Sequence, residues 1–263
     1  MIQVSLTVSA CKRLIAKGIL KHPAVQKALH SHTLVIVGGT TNGYIAEEVL
    51  LHLGYEEVFP KGKFFRGITL PPWYPVLEIG MLQTPTPYPG DVVIEKGTWH
   101  KGKMLFDVIN QLGPDDVVLK GANALDPVHK RAGIFIGHHQ GGTSGAIVPA
   151  VVGRKVRLII PVGLEKRIYG NMDEIALKIN TSPGTAPRFF PVPGEVFTEL
   201  DAIKLLTGAT AELIGGGGVC GAEGAIWLAI QGTDEQENLA KALIEDIKNE
   251  PLFKLEVEIP NME

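Results

Sequence analysis

Cysteine is scarce in this chain: Cys11 and Cys220 are the two among 263 residues, far apart and outside any CxxC or Cys/His spacing. That excludes a disulfide scaffold and suits thiols kept reduced in a reducing compartment. Aromatics make up only 6% of the residues and the formal net charge is -3. Without a basic stripe or aromatic platforms, nucleic acid is not expected as a partner. Long apolar runs are also missing. The stretches near Ile147 and Ile159 are cut by glycine, proline and charge, well short of the ~18 to 20 residues of a membrane span, so no membrane partner is expected. The start, MIQVSLTVSACKRLIAKGIL, shows no basic leader followed by a long apolar core and a cleavage site. No export signal is read, and a cytoplasmic location is expected. The histidines, including the pair His138-His139, fall at no ligand spacing, and neither a metal nor a cofactor is expected.

What is present is apolar sequence broken by glycine. With 45% hydrophobic and 20% charged residues, the chain can bury one large core, or one core and a small second domain. In VIVGGTTNGYIAEE, Val35 to Glu48, an apolar run breaks into Gly38, Gly39, Thr40, Thr41, Asn42 and Gly43 and then resumes at helical spacing. This reads as strand, tight loop, helix. Glycines allow close backbone approach, threonine hydroxyls donate, and free N–H groups at a helix start favour an anion, so a phosphate is the natural guest. Capping and turn geometry explain the same letters without a ligand. The spacing matches neither G-x-G-x-x-G nor a Walker loop, which argues against ATP and NAD.

Along the chain, helices are expected from Thr7, with Ser9 as a cap, and after Pro23. Strands follow at Leu34 to Val37, Asp91 to Ile94, Asp116 to Leu119, Gly133 to Gly137 and Val156 to Val162, separated by helices at Tyr44 to Leu53, Met104 to Leu112, Ala146 to Val152 and Met172 to Ile179. Pro149 is placed in the first turn of its helix. Such alternation indicates an α/β fold with a doubly wound, mainly parallel sheet. The aromatic loop Lys61 to Pro75, with Phe64, Phe65, Trp73 and Tyr74, reads as a lid, a subunit contact or a plain cover of the core. Asn180 to Gly194, rich in proline and glycine, marks a boundary between a Rossmann-like domain (1–190) and a small ferredoxin-like α+β domain (191–263) in the order βαββαβ, ending in a strand at Lys254 to Ile259. Between its middle strands, GGGGVCGAEG reads as a mobile loop or a long hairpin.

The residues able to do chemistry gather at expected strand ends, where α/β sheets bind ligands. Lys120, Gly121, Asn123 and Asp126 follow one strand, Glu95 another, and Glu165, Lys166 and Arg167 a third. Lys120 suits stabilisation of developing negative charge, and Glu95 or Asp126 suits proton transfer. A second Gly/Thr loop, with Gly142, Thr143 and Ser144, resembles the first. GGTSG is not in the register of a hydrolase elbow. Cys220 reads as a small buried residue.

The order of VIVGGTTNG, a strand with an acidic residue at its end, DDVVLKGANALD and a separate βαββαβ unit resembles the superfamily of ribose-5-phosphate isomerases, glucosamine-6-phosphate deaminases and CoA transferases, over roughly residues 7–164. That resemblance implies a substrate phosphate on Gly39, Thr40 and Thr41, a substrate-contacting Lys120, and homo-oligomers. The isomerases' acidic motif is absent, with Glu95 in IEKGTW the nearest counterpart, and no LREK follows Lys120. Three readings stay open: an enzyme acting on a small phosphorylated or anionic metabolite, such as a sugar-phosphate isomerase working by proton transfer; a non-catalytic metabolite sensor; and a CoA-transferase-like acyl-transfer enzyme.

Overall fold

The computed structural model describes residues 1–57, 59–66, 69–70, 88–184 and 186–256. In chain order the elements are β1 (Ile2–Leu6), α1 (Val8–Lys21), α2 (Pro23–Ser31), β2 (Thr33–Ile36), α3 (Thr40–His52), β3 (Val92–Glu95), β4 (Thr98–Trp99), α4 (Leu105–Val108), β5 (Val117–Leu119) and β6 (Ala124–Asp126). They continue as β7 (Arg131–Ile136), α5 (Gly142–Arg154), β8 (Arg157–Pro161), α6 (Met172–Thr181), β9 (Arg188–Val192), β10 (Glu195–Phe197), α7 (Glu199–Thr207), β11 (Thr210–Gly216), β12 (Ile226–Gln231) and α8 (Asp234–Ile247).

The continuous apolar runs became interior strands because both faces of a covered sheet must shed water. A six-stranded sheet has the order β10-β8-β5-β2-β3-β4, in which β10, β8, β5 and β2 are parallel. Leu34, Val35, Ile36, Val118, Leu119, Ile159 and Ile160 are fully buried in it, each worth ~1.5–3 kcal/mol of burial. Beyond β2 the direction reverses: β3 is antiparallel to β2, with Thr33 opposite Glu95 and Ile36 opposite Val92. The protein is thus mixed α/β with a mainly parallel central sheet.

The other strands depart from expectation. β7, read as another parallel strand, lies instead in a separate antiparallel sheet, β6-β7-β9. The βαββαβ order fails at its first strand, because β10 is hydrogen-bonded in parallel to β8. The short sheet near the C-terminus has the order β1-β12-β11, all antiparallel, and its outer strand comes from the start of the chain. IQVSL was not read as a strand because it is half-exposed and its partner lies more than 200 residues away. No strand forms at 254–256, and 257–263 lie outside the described residues. β10 therefore continues the main sheet past the expected cut at 190, and one buried cluster runs from Leu6 to Ile247.

Smaller corrections concern helices. Thr7, not Ser9, caps α1, and Ser9 accepts instead from the Phe253 N–H at 3.0 Å. α5 starts at Gly142, so Pro149 is inside it rather than in the first turn. Residues 104–112 form the short α4 and a 3-10 turn. Trp73 and Tyr74 lie outside the described residues, whereas Phe64 is buried against Phe59 and Tyr88. Cys220 is exposed, not buried, and both cysteines are free.

Candidate functional site

Parallel strands that end together leave their last residues on one rim, next to the starts of the helices that follow. Here the rim is formed by the ends of β2, β5, β8 and β10. It carries Gly38 to Thr41, Lys120 to Asn123, Gly163 to Lys166 and Thr198-Glu199.

The first Gly/Thr loop is built, but its early donors are already occupied. The Gly38 N–H donates to Asp91 Oδ1 at 3.0 Å, and the Gly39 N–H donates to the Phe64 carbonyl at 3.1 Å. Asp91 also accepts from the Tyr88 hydroxyl at 2.7 Å and, through Oδ2, from the Leu105 N–H at 2.8 Å. Gly38 is required here, because a Cβ would stand 2.1 Å from the Tyr88 hydroxyl. Asn42 is fully buried, and its Nδ2 donates to the carbonyls of Val37 (2.7 Å) and Leu119 (3.1 Å), locking the first turn of α3 to the end of β5. Thr41 is buried as well, so Gly39 and Thr40 form the part of the loop open to solvent. Gly39 supplies no side-chain cap, leaving the first N–H groups of α3 without a side-chain acceptor.

Asp91 is the rim carboxylate that reading the sequence missed. Because β3 runs against β2, its first end, not its last, meets the loop. The same reversal moves Glu95 to the opposite edge, beside the start of β2, where it pairs with Lys103 at 3.1 Å and His100 at 3.5 Å. Glu95 is corrected: it does not share a site with Lys120. A polar cleft of about 480 Å³ lies at that far edge, lined by Glu95, Lys96, His32, His100 and Asp116 among others.

Lys120 stands at the end of β5 as expected. Its ammonium is poorly solvated, which pulls its pKa down to about 8; Asp91 opposes the shift and Arg66 reinforces it. Among the described residues it forms no hydrogen bond or ion pair. Arg66 stacks on the Tyr88 ring at 4.1 Å, and its buried Nε has no partner. Ser144, in the first turn of α5, lines the same narrow apolar crevice as Lys120, between Ile134, Ile147 and Val192. Gly141, in a left-handed conformation at the α5 N-cap, also supplies no side-chain cap. Gly142 and Thr143 precede Ser144 at that helix start and are partly exposed.

Other expected residues are held in structural roles. Asn123 Oδ1 accepts from the Phe135 N–H at 3.0 Å, and its Nδ2 donates to Thr69 at 2.9 Å, while Gly121 has open space where a Cβ would stand. Asp126 accepts from the Val128 and His129 N–H groups and pairs with the His129 ring. Those bonds hold its pKa below the usual carboxylate range, which makes it a weak base.

A second group of titratable side chains occupies the β8 and β10 end of the rim. Glu199, the first residue of α7, is fully buried and accepts from the Leu164 N–H at 3.0 and 3.3 Å. Burial first, and the charge of Glu165 second, push its pKa up. Glu165 has a buried oxygen, Oε2, without a partner. Cys11 is buried beside this pair, and its thiol is pushed up by desolvation and by both glutamates. Lys12 is pulled down to about 8 by burial and by Lys166. Lys166 Nζ donates to the Ala122 carbonyl at 2.9 Å, joining this group to the Lys120 loop. Glu165 and Lys166 were expected on this rim; Lys12 read as part of a solvated helix face, and Glu199 fell in the first expected strand of the βαββαβ unit. The signal for Lys12 was present, since apolar residues surround it almost all round α1.

Among the described residues no group of three or more His, Cys, Asp or Glu side chains could hold a metal, and no helix is long and apolar enough to cross a membrane. Comparison with family models, with curated proteins and with solved structures gives no match.

Proposed function

We propose that this chain is an enzyme that binds a small anionic, phosphate-bearing metabolite on the strand-end rim and moves a proton on it. One observation carries the reading: Lys120, without a partner among the described residues, lines one crevice with Ser144 of the uncapped α5 start and lies within charge range of Arg66 and of Asp91, which bonds the Gly38 N–H before α3. Keeping an unpaired cation poorly solvated is costly unless a ligand compensates it. An anion over Gly39, Thr40 and Thr143 would meet helix N–H groups, the Lys120 ammonium and Arg66 Nε together.

The proton-moving group in this reading is the Glu165–Glu199 pair, replacing Glu95 and Asp126. Burial and the neighbouring Glu165 charge favour the protonated form of Glu199, the state of a general acid, and Glu165 is proposed as its partner carboxylate. Isomerisation of a sugar phosphate, the reaction implied by the resemblance, needs such a pair and a cation for the oxygen that becomes negative. The doubly wound arrangement belongs to the same reading.

Inorganic phosphate binding, measured by isothermal titration on the parent and on Lys120→Met, tests it. The variant should lose at least tenfold in affinity, on the order of one charge-assisted hydrogen bond. Equal affinity in both proteins would sink the assignment.

A further inference from the structure

At the β8 and β10 end of the rim, Lys12 lies within charge range of Lys166 and of Glu165, which in turn acts on the buried Glu199. Lys166 is satisfied by the Ala122 carbonyl at 2.9 Å. Lys12 is not: it is 9% exposed, forms no hydrogen bond or ion pair with a described residue, and has the Phe253 ring centroid 5.6 Å from its ammonium. Beside it, Glu165 Oε2 is buried and without a donor. A buried ammonium and a buried carboxylate oxygen, close enough to act on each other yet not bonded, leave an acceptor and a donor missing. A ligand that brings an anionic oxygen to Lys12 and a hydroxyl to Glu165 Oε2 supplies both.

We propose that Lys12, supported by Lys166, is a second anion-binding position on the same rim, so that the metabolite bound here carries two separated anionic groups: a phosphate over Lys120 and a carboxylate over Lys12. This rests on the reading of Lys120 as the phosphate position. The segment carrying Lys166 is joined to the Lys120 loop by the Lys166 bond to the Ala122 carbonyl, two residues beyond Lys120. The chain bearing the C-terminus closes the outer side: Phe253 donates to Ser9 Oγ at 3.0 Å, one helical turn before Lys12.

The test compares inorganic phosphate with 2-phosphoglycolate by isothermal titration on the parent, Lys12→Met, Lys166→Met and Lys120→Met. In the parent, phosphoglycolate should bind about 10- to 100-fold tighter than phosphate, the range of one hydrogen bond to a charged group. Lys12→Met should erase that advantage while phosphate affinity stays at the parent's value, and Lys166→Met should reduce it. Either variant alone carries the test if the other fails to fold. Equal binding of the two probes by the parent, or an advantage that survives both variants, overturns the second position. Phosphate affinity unchanged in Lys120→Met overturns the first instead, so the two failures are read apart.

Discussion

Asp91 gives the sharpest test of how this rim is assembled. Its carboxylate accepts from the N–H groups of Gly38 (3.0 Å) and Leu105 (2.8 Å) and from the Tyr88 hydroxyl (2.7 Å), and it is 1% exposed. Asp91→Ala leaves two buried backbone donors and one phenol unpaired. Each unpaired buried donor costs ~1–3 kcal/mol, and since the three share one site the losses overlap, giving about 3–5 kcal/mol in all. That is a large part of the ~5–15 kcal/mol that holds a typical domain together. In urea unfolding, with a slope of ~3 kcal/mol/M for a chain of this size, the midpoint should fall by at least ~1 M. Asp91→Asn keeps an acceptor for one or two of the donors and should fall between parent and alanine variant. Hydrogen exchange separates this mechanism from general loosening: the Gly38 and Leu105 amides should lose protection before the Val118 and Ile159 amides of the sheet interior. The reasoning is refuted if Asp91→Ala loses less than ~1 kcal/mol, or if those two amides stay protected.

Gly38→Ala sets a Cβ 2.1 Å from the Tyr88 hydroxyl, which must then give up its bond to Asp91; a loss of about 1–3 kcal/mol in urea unfolding is expected, as for other overpacked sites, whereas Gly39→Ala, with open space around it, should cost less. Glu199→Gln tests the buried acid. A carboxyl whose folded pKa is raised binds its proton more tightly in the native state than in the unfolded chain. Its stabilising effect is therefore present at low pH and is lost as pH rises above the unfolded glutamate value of ~4.3 toward the raised folded value. The variant should remove that fall, so its stability relative to the parent should increase between pH 5 and 8, by the ordinary linkage slope. Parallel stability–pH curves for the two proteins would show that Glu199 titrates as it does in the unfolded chain.

The strands of the central sheet were legible because an interior parallel strand has to be apolar on both faces, and Val35 to Val37, Val117 to Leu119 and Leu158 to Ile160 are. Strand direction was not legible. Nothing in DVVIE says that β3 runs against β2, and that single reversal exchanges the positions of Asp91 and Glu95. β1 was missed for a related reason: a short, half-exposed strand becomes a strand only through its partner, and β12 lies at the other end of the chain. The place of Lys120 was legible because the apolar run before it has to end at the rim, and β5 does end at Leu119. Lys12 was missed because α1 reads as a helix with a solvated basic face, and Glu199 because its stretch reads as a strand rather than as the start of a helix. Burying them takes packing of α1 against α7 and the ends of β8 and β10, which no local pattern encodes.

The charges of this protein fall into two kinds, and the difference argues for function at the rim. Arg13 is what a structural charge looks like here: its guanidinium bonds Glu47, Glu48 and Glu250, joining α1, α3 and the segment after α8, and those partners hold it charged. Lys12, one residue earlier on the same helix, has no such partner among the described residues, nor does Lys120. Glu199 is buried beside another carboxylate rather than beside a cation that bonds it. A fold that pairs Arg13 with three carboxylates has acidic residues to spare for Lys12. Two ammonium groups without a partner among the described residues, Lys12 on α1 and Lys120 at the end of β5, are a cost to the free protein that the proposed anion would offset.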